Sequence, residues 1–367
     1  MESLPKKQTL VNFYRQLRVG FGRAVFVTGN ILELGAWDRS KAFRLTWTDN
    51  DNWIGVLNLS QPCEFEFRYF IGNYDNPGDM SAYQEEPGQN FRICSESKLP
   101  IVQDRLKSSE IKAMSYNIRY ANETDGEHAW SKRKKLAAEV ALNHCCDFIG
   151  MQEALFEQLT EFQSQLPMYN WYGRGRYERE IESESCPIFY LHEKWELEEG
   201  NTFWLSNKPE KPSSTSYGNK LPRVCTWARF KNRETGIKFT VYNTHLDHES
   251  GNAQKSGSIQ IKEFVAAKQE NDPNFLICGD FNVGRRSTAV DIIANYKLKL
   301  QDTYKSKDFF TGTFHGFYGV TLFHIDYIFV APELKVLSYE IIKDSKGGIY
   351  PSDHFPIKAA FLPKVSN

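Results

Sequence analysis

The stretch Phe275-Leu-Ile-Cys-Gly-Asp-Phe-Asn282 runs from four apolar residues into a glycine and two polar residues two positions apart. A short apolar run bounded by a turn residue reads as a strand buried on both faces. Side chains alternate along a strand, so Asp280 and Asn282 leave its end on one face. The same grammar recurs in five other segments. Met114-Ser-Tyr-Asn117-Ile-Arg119 ends in an amide and a guanidinium, and Phe148-Ile-Gly-Met-Gln152-Glu153 ends in a carboxylate. Val241-Tyr-Asn243-Thr-His245-Leu-Asp247-His248, Phe323-His324-Ile-Asp326-Tyr327 and Ser352-Asp353-His354-Phe-Pro356 complete the set.

Outward from these segments, strand-like runs at 111–117, 147–151, 239–244, 275–278 and 325–330 alternate with helical patterns. The helices are expected at 131–143, 155–166, 258–269 and 289–295, with Ser131 and Ser287 as capping candidates. Such alternation predicts an α/β or α+β domain of about 250 residues, large enough for a substantial core. The first hundred residues differ. Runs at 23–28, 43–47, 53–59 and 64–70 are short, rich in rings and β-branched residues, and separated by Asn, Asp and Gly. They predict an antiparallel β-sandwich. Trp47 and Trp53 lie within these runs and are expected in its core. Polar residues ending in Pro100 suggest a linker, giving boundaries of 8–94, 95–108 and 109–364.

Composition narrows the class. The chain has 367 residues, 41% of them hydrophobic and 25% charged, which excludes wholesale disorder. No apolar run approaches the length of a membrane span and the first residues carry no signal-peptide core, so a soluble, cytoplasmic protein without membrane association is expected. Seven cysteines without CxxC spacing indicate buried thiols rather than a disulfide framework or zinc site. Residues 1–100 carry 11 Lys+Arg against 12 Asp+Glu, and the remainder 34 of each. No half has the basic surplus of a protein held mainly by nucleic-acid phosphates. Lys132-Arg133-Lys134-Lys135 opens a helical pattern and reads as a solvated face.

Each strand-end residue alone has a plain structural explanation. Glu153 precedes a helix and could cap it, the Gly-Asp-Phe-Asn turn could be only a turn, and a His beside proline often only packs. Six such segments together supply hard oxygen donors suited to Mg²⁺ or Mn²⁺ and a paired Asp and His suited to oriented proton transfer. That set suits metal-assisted hydrolysis of a phosphate ester.

In this order the six segments resemble the endonuclease/exonuclease/phosphatase family, over about residues 110–364. The resemblance implies a four-layer α/β-sandwich, two central mixed sheets with helices outside, and hydrolysis of phosphomonoesters or phosphodiesters with Mg²⁺ or Mn²⁺. It implies Glu153, Asn117 and Asp353 as metal residues and His245, Asp280, Asn282, Asp326 and His354 as the catalytic set. Asp326 would orient His354, which acts as base or contacts the phosphate. Arg119 and Arg223 are candidate phosphate ligands, with a structural ion pair as the alternative for each. Nuclease members carry Arg where this chain has His324.

The first domain has its own resemblance. Val25 to Asn30, Leu34-Gly-Ala-Trp37, Trp53, Phe65-Glu-Phe-Arg-Tyr69 and Glu86-Pro-Gly-Gln-Asn90 are similar to a family 20 starch-binding carbohydrate module. It implies sugar stacking on Trp37 and a second ring. Glu85 stands where that ring is usual, and Tyr83 is the candidate substitute. Together the two resemblances imply a phosphatase acting on a phosphorylated α-glucan or sugar phosphate, with the α-glucan as partner of the first domain. The alternative is an endo- or exonuclease, with nucleic acid as partner and the first domain recruiting. A lipid or inositol-phosphate esterase is disfavoured by the lack of a membrane-seeking amphipathic segment.

Overall fold

The alternating run from Glu64 becomes the central strand of the first domain. The structure, a computed structural model, describes residues 9–48, 52–59, 64–79, 84–85, 91–94, 108–178, 183–269, 273–305, 311–321 and 323–364. Tyr83 and, except for Ser108, the expected linker 95–108 lie outside the described residues.

The first domain contains β1 (Thr9–Gln16), β2 (Arg23–Gly29), β3 (Phe43–Arg44), β4 (Thr46–Thr48), β5 (Asn52–Leu59), β6 (Glu64–Asn73), β7 (Gln84–Glu85) and β8 (Phe91–Cys94). One sheet has the order β1-β5-β4 and the other β3-β2-β6-β7, with β8 also on β6. All described pairings are antiparallel. Val11, Phe13, Val25, Val27, Trp53, Leu57, Phe65 and Phe67 fill the core between the sheets. The expected β-sandwich is present. Trp53 is buried at 4% exposure, as expected, but Trp47 is 53% exposed. It lies on the short edge strand β4, so strand membership does not bring burial.

The second domain has two six-stranded mixed sheets. The first has the order β11-β12-β10-β9-β20-β19, built from β9 (Ile111–Asn117), β10 (Phe148–Gln152), β11 (Tyr169–Tyr172), β12 (Ile188–Leu191), β19 (Lys335–Ile341) and β20 (Ile357–Leu362). The second has the order β13-β14-β15-β16-β18-β17, from β13 (Trp195–Trp204), β14 (Val224–Asn232), β15 (Lys238–His245), β16 (Phe275–Asp280), β17 (Gln301–Asp302) and β18 (Asp326–Val330). The helices α1 (Trp130–His144), α2 (Phe156–Gln165), α3 (Gly251–Lys268) and α4 (Thr288–Asn295) lie outside the sheets. The fold is the expected pair of mixed sheets with helices outside.

Gly150 sits where the two sheets meet. A Cβ there would fall 2.5 Å from Cys278 Sγ and 2.9 Å from the Asn243 side chain, so β10 closes on β15 and β16 only because it has none. Asn243 ties the sheets with hydrogen bonds: its Nδ2 donates to Met151 O (2.7 Å) and Pro187 O (2.8 Å), and its Oδ1 accepts from Gln152 Nε2 (2.7 Å). Buried polar groups are stable when all are satisfied, and this one is.

Local readings were corrected in three places. Ser131 lies inside α1, whose N-cap is Ala129 without a side-chain cap, whereas Ser287 does cap α4 by accepting from Val290 N. Helix α3 begins at Gly251, seven residues before the expected start, because Ser250 caps it and Gly257 packs closely on Leu205. Weak helix formers hid that first half from a propensity reading. The largest correction concerns Arg133, which is fully buried rather than solvated. Its guanidinium donates to His128 O, Ile118 O, Arg119 O, Tyr120 O and Pro351 O at 2.5–3.4 Å. Burial lowers its pKa to about 10. A planar five-donor fork suits such a set of carbonyls, so one member of a basic run turns inward.

Candidate active site

Parallel pairing decides where the strand-end residues go. β9 and β10 pair in parallel with Asn117 opposite Gln152, and β15 and β16 pair in parallel with His245 opposite Asp280. β18 runs antiparallel to β16 with Asp326 opposite Asp280. The carboxyl ends of four strands and the start of a fifth therefore converge where the sheets pack. Glu153, Arg119 and Asn282 take left-handed backbone angles (φ 60°, 54° and 54°) just beyond strand ends. Such conformations cost about 1–2 kcal/mol each for residues with a Cβ, and they persist only where surrounding contacts hold them.

Asn117 is the hub. Its Nδ2 lies 3.2 Å from Glu153 Oε1, 3.0 Å from Asp280 Oδ2 and 3.4 Å from His354 Nε2, while its Oδ1 accepts from Arg119 N. Glu153 Oε2 accepts from Tyr120 N. His354 Nδ1 lies 2.9 Å from Asp326 Oδ2, and its Nε2 faces Asp280 Oδ2 at 3.7 Å. Thr313 Oγ1 accepts from Ile325 N and Asp326 N, which holds the carboxylate in place. Asp280 Oδ1 accepts from Asn282 N at 2.8 Å, and Asn282 Nδ2 faces His245 Nε2 at 2.8 Å. Ser352 donates to Asn117 O, joining the Asp353–His354 loop to β9.

Burial gives these groups unusual charge states. Burial alone would lower the His354 pKa, but Asp326 and Asp280 outweigh it and raise it well above the ordinary value. Asp280 is raised by burial and by Asp326. His245 is held well below its ordinary value by burial and then by the Arg223 and Arg176 guanidiniums, so it is neutral.

The residues present fit a small divalent cation. Glu153, Asp280, Asp326 and Asp353 gather around two counter-charges, Arg119 and His354, and Asp326 Oδ1 is buried without a hydrogen-bond partner. Asp280, Asp326 and His354 offer ligand atoms within 4.8 Å of one another. Oxygen-rich donor sets of this kind suit hard cations.

Every expected catalytic and metal residue falls in this one cluster. The two arginines differ. Arg119 holds Asp125 through two nitrogens (3.1 and 3.0 Å) and approaches Glu153 and Asp353 at 3.9 and 4.0 Å, which matches its ion-pair alternative. Arg223 donates to His248 Nδ1 at 2.7 Å and lines a narrow cleft with Glu153, Arg176, Glu184 and His245. Arg176 and Glu184 were passed over in the sequence, although the paired arginines of Gly173-Arg-Gly-Arg176 were a visible basic signal. His324 is buried, stacks 4.5 Å from Tyr304, and has its pKa lowered to about 4 by burial. It is a neutral packing ring where nucleases carry a cation. In the first domain Trp37 is 38% exposed beside Arg68, whose Cζ lies 5.9 Å from the ring centroid.

The endonuclease/exonuclease/phosphatase family profile matches residues 114–354, and the starch binding domain profile matches residues 8–103. Among curated proteins there is no match. An endonuclease/exonuclease/phosphatase from Bacteroides vulgatus is 31% identical, with 70% of this chain and 100% of that one covered and a TM-score of 0.66. A mannosyl-6-phosphatase from Bacteroides thetaiotaomicron is 30% identical, covering 69% and 99% of the two chains, with a TM-score of 0.64. The human Nocturnin catalytic domain, at 22% identity, shares the fold (TM-score 0.56; 70% of this chain and 94% of that one). With the strand-end cluster, the matched profile and these likenesses in agreement, the chain belongs to the endonuclease/exonuclease/phosphatase family of phosphoester hydrolases and carries a starch binding domain ahead of its catalytic domain.

Proposed function

We propose that this protein is a Mg²⁺- or Mn²⁺-dependent phosphatase that removes phosphate from a phosphorylated α-glucan or a sugar phosphate. The observation that carries the reading is the starch binding domain on the same chain as the phosphoesterase site. A glucan-binding module tethered to a catalytic domain raises the effective concentration of a glucan-borne ester. The likeness to a mannosyl-6-phosphatase supports a sugar phosphate as substrate. Five buried cysteines, Cys145, Cys146, Cys186, Cys225 and Cys278, are compatible with a reducing, cytoplasmic setting.

Glu153 would hold the cation, with Asp353 and Asn117 alongside. When bound, the cation polarises a phosphoryl oxygen and stabilises the charge that develops there. The chain's own groups do the rest. His354, protonated and fixed by Asp326, presents Nε2–H to a phosphoryl oxygen. Asp280, fixed by Asn282 N–H and the Asn117 amide, takes a proton from the attacking water as the P–O bond to the sugar breaks, and the departing sugar oxygen takes its proton from solvent. His245 and the Asn282 amide, which lie beside Asp280, would contact the phosphoryl group as well.

The test is phosphate release by the whole, metal-saturated chain. Phosphorylated maltodextrin, hexose phosphates and a labelled oligonucleotide are offered in parallel, with His354→Ala as control. Phosphate from the glucan or hexose set, lost in the control, is the expected result. Cleavage of the oligonucleotide alone would establish the nuclease alternative.

A further inference from the structure

The cleft beside Glu153 and His245 contains two guanidiniums that the reaction outlined above leaves unused. Arg176 is 8% exposed and Arg223 5%. Arg176 bonds Glu184 Oε1 at 2.6 Å. Arg223 donates to a His248 nitrogen and lies 3.6 Å from Asp247 Oδ2, whose partner oxygen already accepts two backbone N–H groups. Nε of Arg176 is buried without a hydrogen-bond partner, and Nε of Arg223 has only the Asp247 carboxylate, at 3.6 Å and beyond hydrogen-bond distance. Buried guanidinium donors are costly to leave unmade, and two guanidinium side chains lining one cleft mark a place for an anion.

The position of the pair says which anion. Both arginines line the cleft with Glu153, at the cation end of the site, and with His245, at the phosphoryl end. Burial, and after it the field of the two guanidiniums, lowers the His245 pKa well below its ordinary value. An anion bound there shares the phosphoryl group's own location. We propose that Arg176 and Arg223 form a two-guanidinium seat for the phosphoryl dianion, making this active site select phosphomonoesters over phosphodiesters. A monoester brings two negative charges and three unsubstituted oxygens to two forked donors. A diester brings one charge, and its second carbon substituent must replace an oxygen that the seat would bind. Glu184 is the resident counter-ion of Arg176, and the incoming phosphate competes with it.

This inference rests on the phosphatase reading, and its test separates the two. The full chain, saturated with Mg²⁺, is assayed on 4-nitrophenyl phosphate and bis(4-nitrophenyl) phosphate, with inorganic phosphate as competing anion. Arg176→Lys and Arg223→Lys keep charge and bulk while removing the fork, and thermal melting confirms that they fold. Each is expected to lower the monoester-to-diester ratio of kcat/KM by about 10-fold or more and to weaken phosphate inhibition about 10-fold. Glu184→Gln is expected to strengthen phosphate inhibition by about threefold or more, because Arg176 loses its competitor. A folded Lys variant that leaves both the ratio and the phosphate inhibition within about twofold of the parent overturns the seat. Where the parent has no measurable diester turnover, phosphate inhibition alone decides. A parent enzyme that hydrolyses no monoester refutes the phosphatase reading itself, whatever the arginine variants do.

Discussion

Replacing Arg133 tests whether a buried guanidinium inside a basic run holds the active-site loops. The side chain is fully buried and donates to five carbonyls, three of them in the Ile118–Tyr120 turn just past Asn117 and one at Pro351, two residues before Asp353. Hydrogen bonds from a charged donor are worth about 1.5–3 kcal/mol each, but they are not additive and freed carbonyls recover water. Breaking a buried charged network by removing one partner costs about 3–5 kcal/mol, and that is the expected loss for Arg133→Met, which keeps the apolar stem. Urea unfolding measures it. Arg133→Lys keeps the charge but has three donors on one nitrogen, so it is expected to recover less than half of the loss. Activity should fall in both variants, since one freed loop follows directly on Asn117 and the other carries Asp353. An Arg133→Met protein destabilised by less than about 1 kcal/mol, or a Lys variant with parental stability and activity, would refute the reasoning.

Asp326→Asn removes the charge-assisted partner of His354 Nδ1, so kcat should fall at least about 10–100-fold with little change in KM, measured by steady-state phosphate release. Asn243→Ala deprives Met151 O, Pro187 O and Gln152 Nε2 of their partner, and a loss of about 3 kcal/mol in urea unfolding is expected. Gly279→Ala would place a Cβ 2.0 Å from Thr244 O at φ +153°, so stability should drop by about 3 kcal/mol and Asp280 should be displaced, read as lost activity in the folded fraction. Trp37→Ala in the starch binding domain is expected to weaken maltoheptaose binding about 10-fold by calorimetry, since an exposed ring can stack on a sugar face.

Much of the fold and site was legible in the chain because local pattern carries it. Apolar runs ending in polar residues marked β9, β10, β15, β16 and β18, and the residues at their ends, Asn117, Glu153, His245, Asp280 and Asp326, are the ones that converge. The ring-rich alternation before residue 94 marked the sandwich. The strands β1, β7, β8, β11 to β14, β17, β19 and β20 escaped that reading. Strand character in these comes from pairing partners distant in sequence, as between Lys335–Ile341 and Ile357–Leu362 or Trp195–Trp204 and Val224–Asn232.

What the sequence by itself determined is therefore the chemistry present and the strand ends that present it. Residue type and the two-residue period of a strand are local properties. Only the tertiary structure decided that Arg133 turns inward, that Arg119 belongs to Asp125, that Trp47 faces solvent, and that Arg176 joins Arg223 beside Glu153 and His245. The reason is that a charged or aromatic side chain has no fixed role of its own. Its role depends on which carbonyls, carboxylates or sheet faces the chain brings back to it, and those partners lie tens to hundreds of residues away.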